Sequence, residues 1–88
     1  LSTLGLANTP QKFNVYIGNN TAQLFTSISL VESIDLYNVS GVRVAVLKNK
    51  DWRQKQESIE FDFPYPSGMY MVVLKTRQAI LREKVYNP

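Results

Sequence analysis

From Phe13 onward, apolar side chains recur at every second position, and this period of two most constrains how the chain can fold. In extended backbone, successive side chains point to opposite faces, so such alternation gives a strand one buried face and one wetted face. Phe13, Val15 and Ile17 share a side, with Asn14 and Tyr16 on the other. The pattern repeats over 24–30, where Leu24, Thr26, Ile28 and Leu30 share a face. It returns in Val42, Val44 and Val46, which alternate with Arg43 and Ala45, and in Ile59, Phe61 and Phe63, which alternate with Glu60 and Asp62. Residues 69–76 are apolar on both faces, as a central strand requires. No stretch carries an apolar stripe at helical spacing; residues 54–58 are long enough for one helical turn but lack the stripe.

Turn signals separate these runs. Gly18-Asn19-Asn20 and Asn38-Val39-Ser40-Gly41 supply residues that tolerate positive φ. Pro64-Tyr65-Pro66-Ser67-Gly68 interrupts pairing, and Arg77-Gln78-Ala79 reverses the chain before a last strand over 80–86. That strand places Leu81, Glu83 and Val85 on one side and Ile80, Arg82, Lys84 and Tyr86 on the other. Val31-Glu32-Ser33 reads either as a connection or as part of the strand led by Ile34 and Leu36. Residues 48–56 are the most polar stretch and read as an exposed loop around Trp52. About seven short strands so spaced predict an all-β sandwich of two antiparallel sheets. Residues 1–11, with Gly5, Asn8, Thr9 and Pro10, read as a linker or lead-in to a domain over 12–88.

Composition narrows the chemistry. Eighty-eight residues make one domain with a thin core. Without cysteine there are no disulfides or thiolate ligands, and without histidine the commonest general base and metal ligand are gone. The longest strongly apolar stretch, 69–74, is far short of the ~20 residues of a spanning helix. Stable membrane insertion is therefore not expected. The net charge of +3 is mild and selects no partner. The chain does not begin with Met, so it is expected to be a piece of a longer polypeptide, with any export signal upstream.

Three features invite a functional reading. Trp52 with Lys48, Lys50, Arg53 and Lys55 has the makings of a single-strand nucleic-acid platform, yet one aromatic stacks poorly and Asp51 and Glu57 dilute the charge. A solvated loop is the better reading, and no nucleic acid is expected as a partner. The same ring suits a stacked sugar, which makes Trp52 the candidate ligand-binding residue of an accessory carbohydrate- or adhesin-type module. Glu60 and Asp62 stand about 6.5–7 Å apart at strand rise, a spacing superficially suited to paired-acid hydrolysis. Alternation with polar residues outward explains them fully. Catalytic residues, metal ligands and cofactors are therefore not assigned, and the chain is read as non-enzymatic.

Two segments carry a resemblance. The first is Ile34-Asp35-Leu36-Tyr37-Asn38-Val39-Ser40-Gly41-Val42-Arg43-Val44, and the second is Tyr65-Pro66-Ser67-Gly68-Met69-Tyr70-Met71-Val72-Val73-Leu74-Lys75, followed by Arg82-Glu83-Lys84-Val85. In this order they resemble the C-terminal sorting domain of cargo proteins of the type IX (Por) secretion system. Gly41 and Arg43 stand where that family has its Gly-Arg hairpin, with Tyr37 before them. Gly68 and Tyr70 match its Gly-x-Tyr, and Lys84 its closing lysines. The sequence departs from the family at Tyr16-Ile17-Gly18-Asn19, where a Tyr-Pro-Asn-Pro turn is usual, and in its Val85-Tyr86-Asn87-Pro88 ending.

The resemblance implies an immunoglobulin-like sandwich recognised as a folded shape by an outer-membrane translocon and then cut off by a sorting protease. It implies passage through the periplasm to the medium or cell surface of a Gram-negative bacterium. An exposed edge at 80–86 would also permit strand pairing with a partner or a second copy.

Overall fold

The computed structural model describes residues 13–26 and 30–88. In chain order they form β1 (Phe13–Gly18), β2 (Thr21–Thr26), β3 (Val31–Asn38), β4 (Arg43–Leu47), β5 (Arg53–Gln54), β6 (Ser58–Asp62), β7 (Gly68–Thr76) and β8 (Ile80–Asn87). A single 3₁₀ turn spans Asn49–Asp51. One sheet runs β1-β2-β6-β5 and the other β4-β3-β7-β8, with all neighbours antiparallel. Lettered A, B, C, C′, D, E, F, G in chain order, these are sheets A-B-E-D and C′-C-F-G. That is the immunoglobulin arrangement with one strand added beside C.

The inward rows of both sheets meet in one core. Phe13, Leu24, Ile59 and Phe61 come from the first sheet, and Ile34, Leu36, Val72 and Leu74 from the second. Phe63, one residue past β6, is also fully buried, and its N–H extends the pairing to the Asn20 carbonyl at 2.8 Å. At the side of the sandwich β8 packs against β1 of the opposite sheet.

Turn chemistry follows the sequence closely. Asn19 and Asn20 both have positive φ, at 54° and 61°, so β1 and β2 join through a two-residue turn whose twist matches the strands. At the β3–β4 turn the Asn38 Oδ1 accepts the Ser40 and Val42 N–H groups, each at 3.0 Å. Gly41 closes that turn at φ +84°. Between β7 and β8, Thr76 Oγ1 accepts the N–H groups of Gln78 at 3.2 Å and Ala79 at 2.9 Å.

Three sequence readings change, and one left open is resolved. There are eight strands rather than about seven, because the polar stretch 48–56 contains β5, whose Arg53 pairs with Glu60. The strand expected over 24–30 begins at Thr21 and ends at Thr26; Leu30 is exposed at φ +63°. Ile28, like the lead-in 1–11 and residue 12, lies outside the described residues. Val31-Glu32-Ser33 belongs to β3, with a register shift between Val31 and Ser33 where it pairs with β7.

Trp52 is the third correction: it is 8% exposed and belongs to the core. The cause is local. Asp51 Oδ2 accepts the Lys48 N–H at 2.9 Å and the Asp51 N–H donates to the Lys48 carbonyl at 2.7 Å. This tightens the 3₁₀ turn so that the next residue enters the sandwich and Arg53 faces out.

Candidate functional site

Both outward faces are built by cross-strand register, since residues directly opposite in an antiparallel pair share a face. On the second sheet, Arg43 of β4 stands opposite Tyr37 of β3, Tyr37 opposite Met71 of β7, and Met71 opposite Lys84 of β8. Tyr37 and Arg43 come from the first motif, Met71 from the second and Lys84 from the segment after it, yet they form one row across all four strands. Gly41 lies at the end of this face, where a groove runs from Tyr37 and Val39 past Met71 and Val73 to Ile80 and Arg82. Val46, Met69, Ile80 and Tyr86 add exposed apolar surface.

Asp35 lies in the next row of that face, opposite Val46 and Val73. Its side chain is 2% exposed, with Lys75 Nζ at 3.2 Å and Arg43 Nη1 at 3.8 Å from Oδ2. Neither carboxylate oxygen has a hydrogen-bond partner with good geometry among the described residues. The ammonium is close enough to pair electrostatically but is poorly aligned. Sequence reasoning missed this residue, and its only signal was an acid flanked by Ile34 and Leu36 in an otherwise apolar strand. Lys75 and Arg43 thus flank one sunken carboxylate, and with Arg82 and Lys84 also on this face it is net basic.

Gly68 and Tyr70 play a different part. Tyr70 points inward near the start of β7, and its hydroxyl donates to the Pro66 carbonyl at 2.6 Å. A tyrosine near the start of strand F, bonding back to the corner before it, is a recurrent brace of immunoglobulin-like sandwiches. Phe63 packs edge-on against it at a centroid distance of 5.0 Å, and Tyr65 lies tilted to it at 6.3 Å while meeting Phe63 edge-on at 4.9 Å. Gly68 takes φ +145°, a conformation side chains resist, as the chain leaves this corner. The Gly-x-Tyr pair builds the corner rather than the exposed row.

The first sheet presents a second, chemically distinct face. Tyr16 of β1, Gln23 of β2, Glu60 of β6 and Arg53 of β5 stand in one row. Arg53 donates to Glu60 Oε1 at 3.1 Å and to Asp62 Oδ1 at 3.3 Å. These bonds hold the Glu60 carboxyl below the ordinary carboxylate range and push the guanidinium up. Compared with family models, curated proteins and solved structures, the chain matches none.

Proposed function

We propose that this domain is a non-enzymatic docking module, the C-terminal sorting signal of a larger exported protein. Its partners are the type IX translocon, which takes it up as a folded shape, and the sorting protease that removes it. Its route runs through the periplasm to the medium or the cell surface. The observation that carries the reading is the row Arg43-Tyr37-Met71-Lys84, in which residues of separate motifs converge on one exposed face. A mixed apolar and cationic surface resting on a rigid sheet has the anatomy of a protein interface, with an apolar centre and a polar rim. Arg82 and Lys84 have no ion-pair partner among the described residues, which leaves their charge available to a partner. The test fuses residues 12–88 to a periplasmic reporter in a type IX-competent host. The reporter is expected at the cell surface, and the pair Arg43→Glu with Lys84→Glu is expected to hold it in the periplasm. A reporter that stays periplasmic with the unaltered domain refutes the reading.

A further inference from the structure

The geometry points to a binding site for a neutral saccharide on the outer face of the first sheet, with the Tyr16 ring as its platform and Gln23, Glu60 and Arg53 as its polar contacts. The site lies on the sheet opposite the Arg43-Tyr37-Met71-Lys84 row and does not depend on the sorting role.

Tyr16 is 61% exposed in mid-strand, where a half-buried sheet ordinarily presents polar side chains. Phe25, on the neighbouring strand, meets it edge to face at 5.9 Å and is itself 37% exposed. This contact orients the tyrosine ring while leaving it open to solvent. A shallow groove begins at Tyr16 and continues past Gly18, Asn19, Thr21 and Gln23 to Glu60. A Cβ added at Gly18 would meet nothing within 4 Å, so that part of the groove is open.

The chemistry of the row fits a sugar better than it fits other ligands. A pyranose offers a face of C–H groups, which settles on an aromatic ring, and an edge of hydroxyls that both donate and accept. Along the row the Gln23 amide donates and accepts, the Glu60 carboxylate accepts, and the Arg53 guanidinium donates. The 3.1 Å bond from Arg53 fixes Glu60 in place before any ligand arrives. Neighbouring strands lie ~4.8 Å apart, so Tyr16 and Glu60 are about 10 Å apart, room for two linked sugar units. Arg53 and Lys55 on this face are balanced by Glu60 and Asp62, with Lys55 Nζ 3.8 Å from Glu60. That balance leaves these four groups with no net charge and favours an uncharged ligand, in contrast with the basic face of the other sheet.

The test titrates the full chain, followed by amide NMR shifts, with cellohexaose, xylohexaose, mannohexaose and maltohexaose, and with oligogalacturonate as the acidic control. At least one neutral hexaose is expected to give saturable shifts centred on Tyr16, Gln23 and Glu60 at millimolar concentration. Tyr16→Ala should weaken that binding by about tenfold, or ~1.4 kcal/mol, while Tyr16→Phe keeps it, because the ring face and not the hydroxyl is the platform. Unchanged amide dispersion in both variants shows that the sheet is intact. The inference is overturned if no neutral hexaose shifts these residues, if only the acidic sugar binds, or if Tyr16→Ala binds like the unaltered chain.

Discussion

Replacing Lys75 by Met removes the nearer of the two cations serving the Asp35 carboxylate and keeps the aliphatic stem. The carboxylate is 2% exposed, and the ammonium stands 3.2 Å away. At an effective dielectric of about 20, that separation gives an attraction of roughly 5 kcal/mol. Two effects reduce the net value. Lys75 is 41% exposed and so is screened by water, and Arg43, at 3.8 Å, partly compensates when Lys75 is lost. Exposed pairs contribute up to about 1 kcal/mol, whereas stranding a fully buried charge costs about 3–5 kcal/mol.

A pair buried at one end falls between these limits, so Lys75→Met should destabilise by about 2 kcal/mol. With a urea m-value near 1 kcal/mol/M for so small a domain, the unfolding midpoint should drop by about 2 M. Asp35→Leu added to Lys75→Met removes the stranded charge and should recover most of that loss. Urea unfolding followed by circular dichroism reads both. An unchanged midpoint in the single variant, or a double variant weaker than the single, would refute the view of Asp35 as a buried charge that depends on its cations.

Three further outcomes follow from the packing and the charges. Trp52→Ala should cost about 3–5 kcal/mol, whereas loss of an exposed ring would cost little; thermal unfolding separates the two. Gly68→Ala should cost roughly 1–3 kcal/mol, because its φ of +145° is one that side chains rarely adopt, and a fall in Tm measures it. Arg53→Ala should let the Glu60 carboxyl titrate at higher pH, read from its ¹³C shift. Because the folded carboxyl is held below its unfolded value, its contribution is present at neutral pH and is lost as pH falls through the folded value. Acidification should therefore cost the unaltered chain more stability than the Arg53→Ala variant.

The fold was largely legible because its strands alternate cleanly. Phe13 and Val15, like Ile59, Phe61 and Phe63, are buried on the side that period two assigns them, and the Asn-rich turns fall where positive φ is needed. What escaped the sequence was tertiary. The stretch around Trp52 is so polar that nothing local marks its ring as core; the reversal set by Asp51 and Lys48 decides it. Asp35 could not be recognised as buried, because its burial depends on Lys75 and Arg43 arriving from two other strands. Of the motif residues, Tyr37, Arg43 and Lys84 share an exposed row. Tyr70 and Gly68 turned to a bracing role that residue type alone does not distinguish from a surface one. The Tyr16 face was equally hidden, since an outward tyrosine becomes a platform only beside Phe25, Gln23 and Glu60.

Asn87 gives the corner before β7 an unexpected dependence. Its side-chain amide donates to the Tyr65 carbonyl at 2.8 Å and to the Pro66 carbonyl at 3.2 Å, fastening the final strand to a loop 22 residues upstream. Loss of the Asn87 amide would therefore unfasten the proline loop and loosen the three aromatic rings that pack edge-on and tilted beneath it. Residues that continue from the exposed Pro88 leave that hasp closed, whereas a cut inside the last strand opens it.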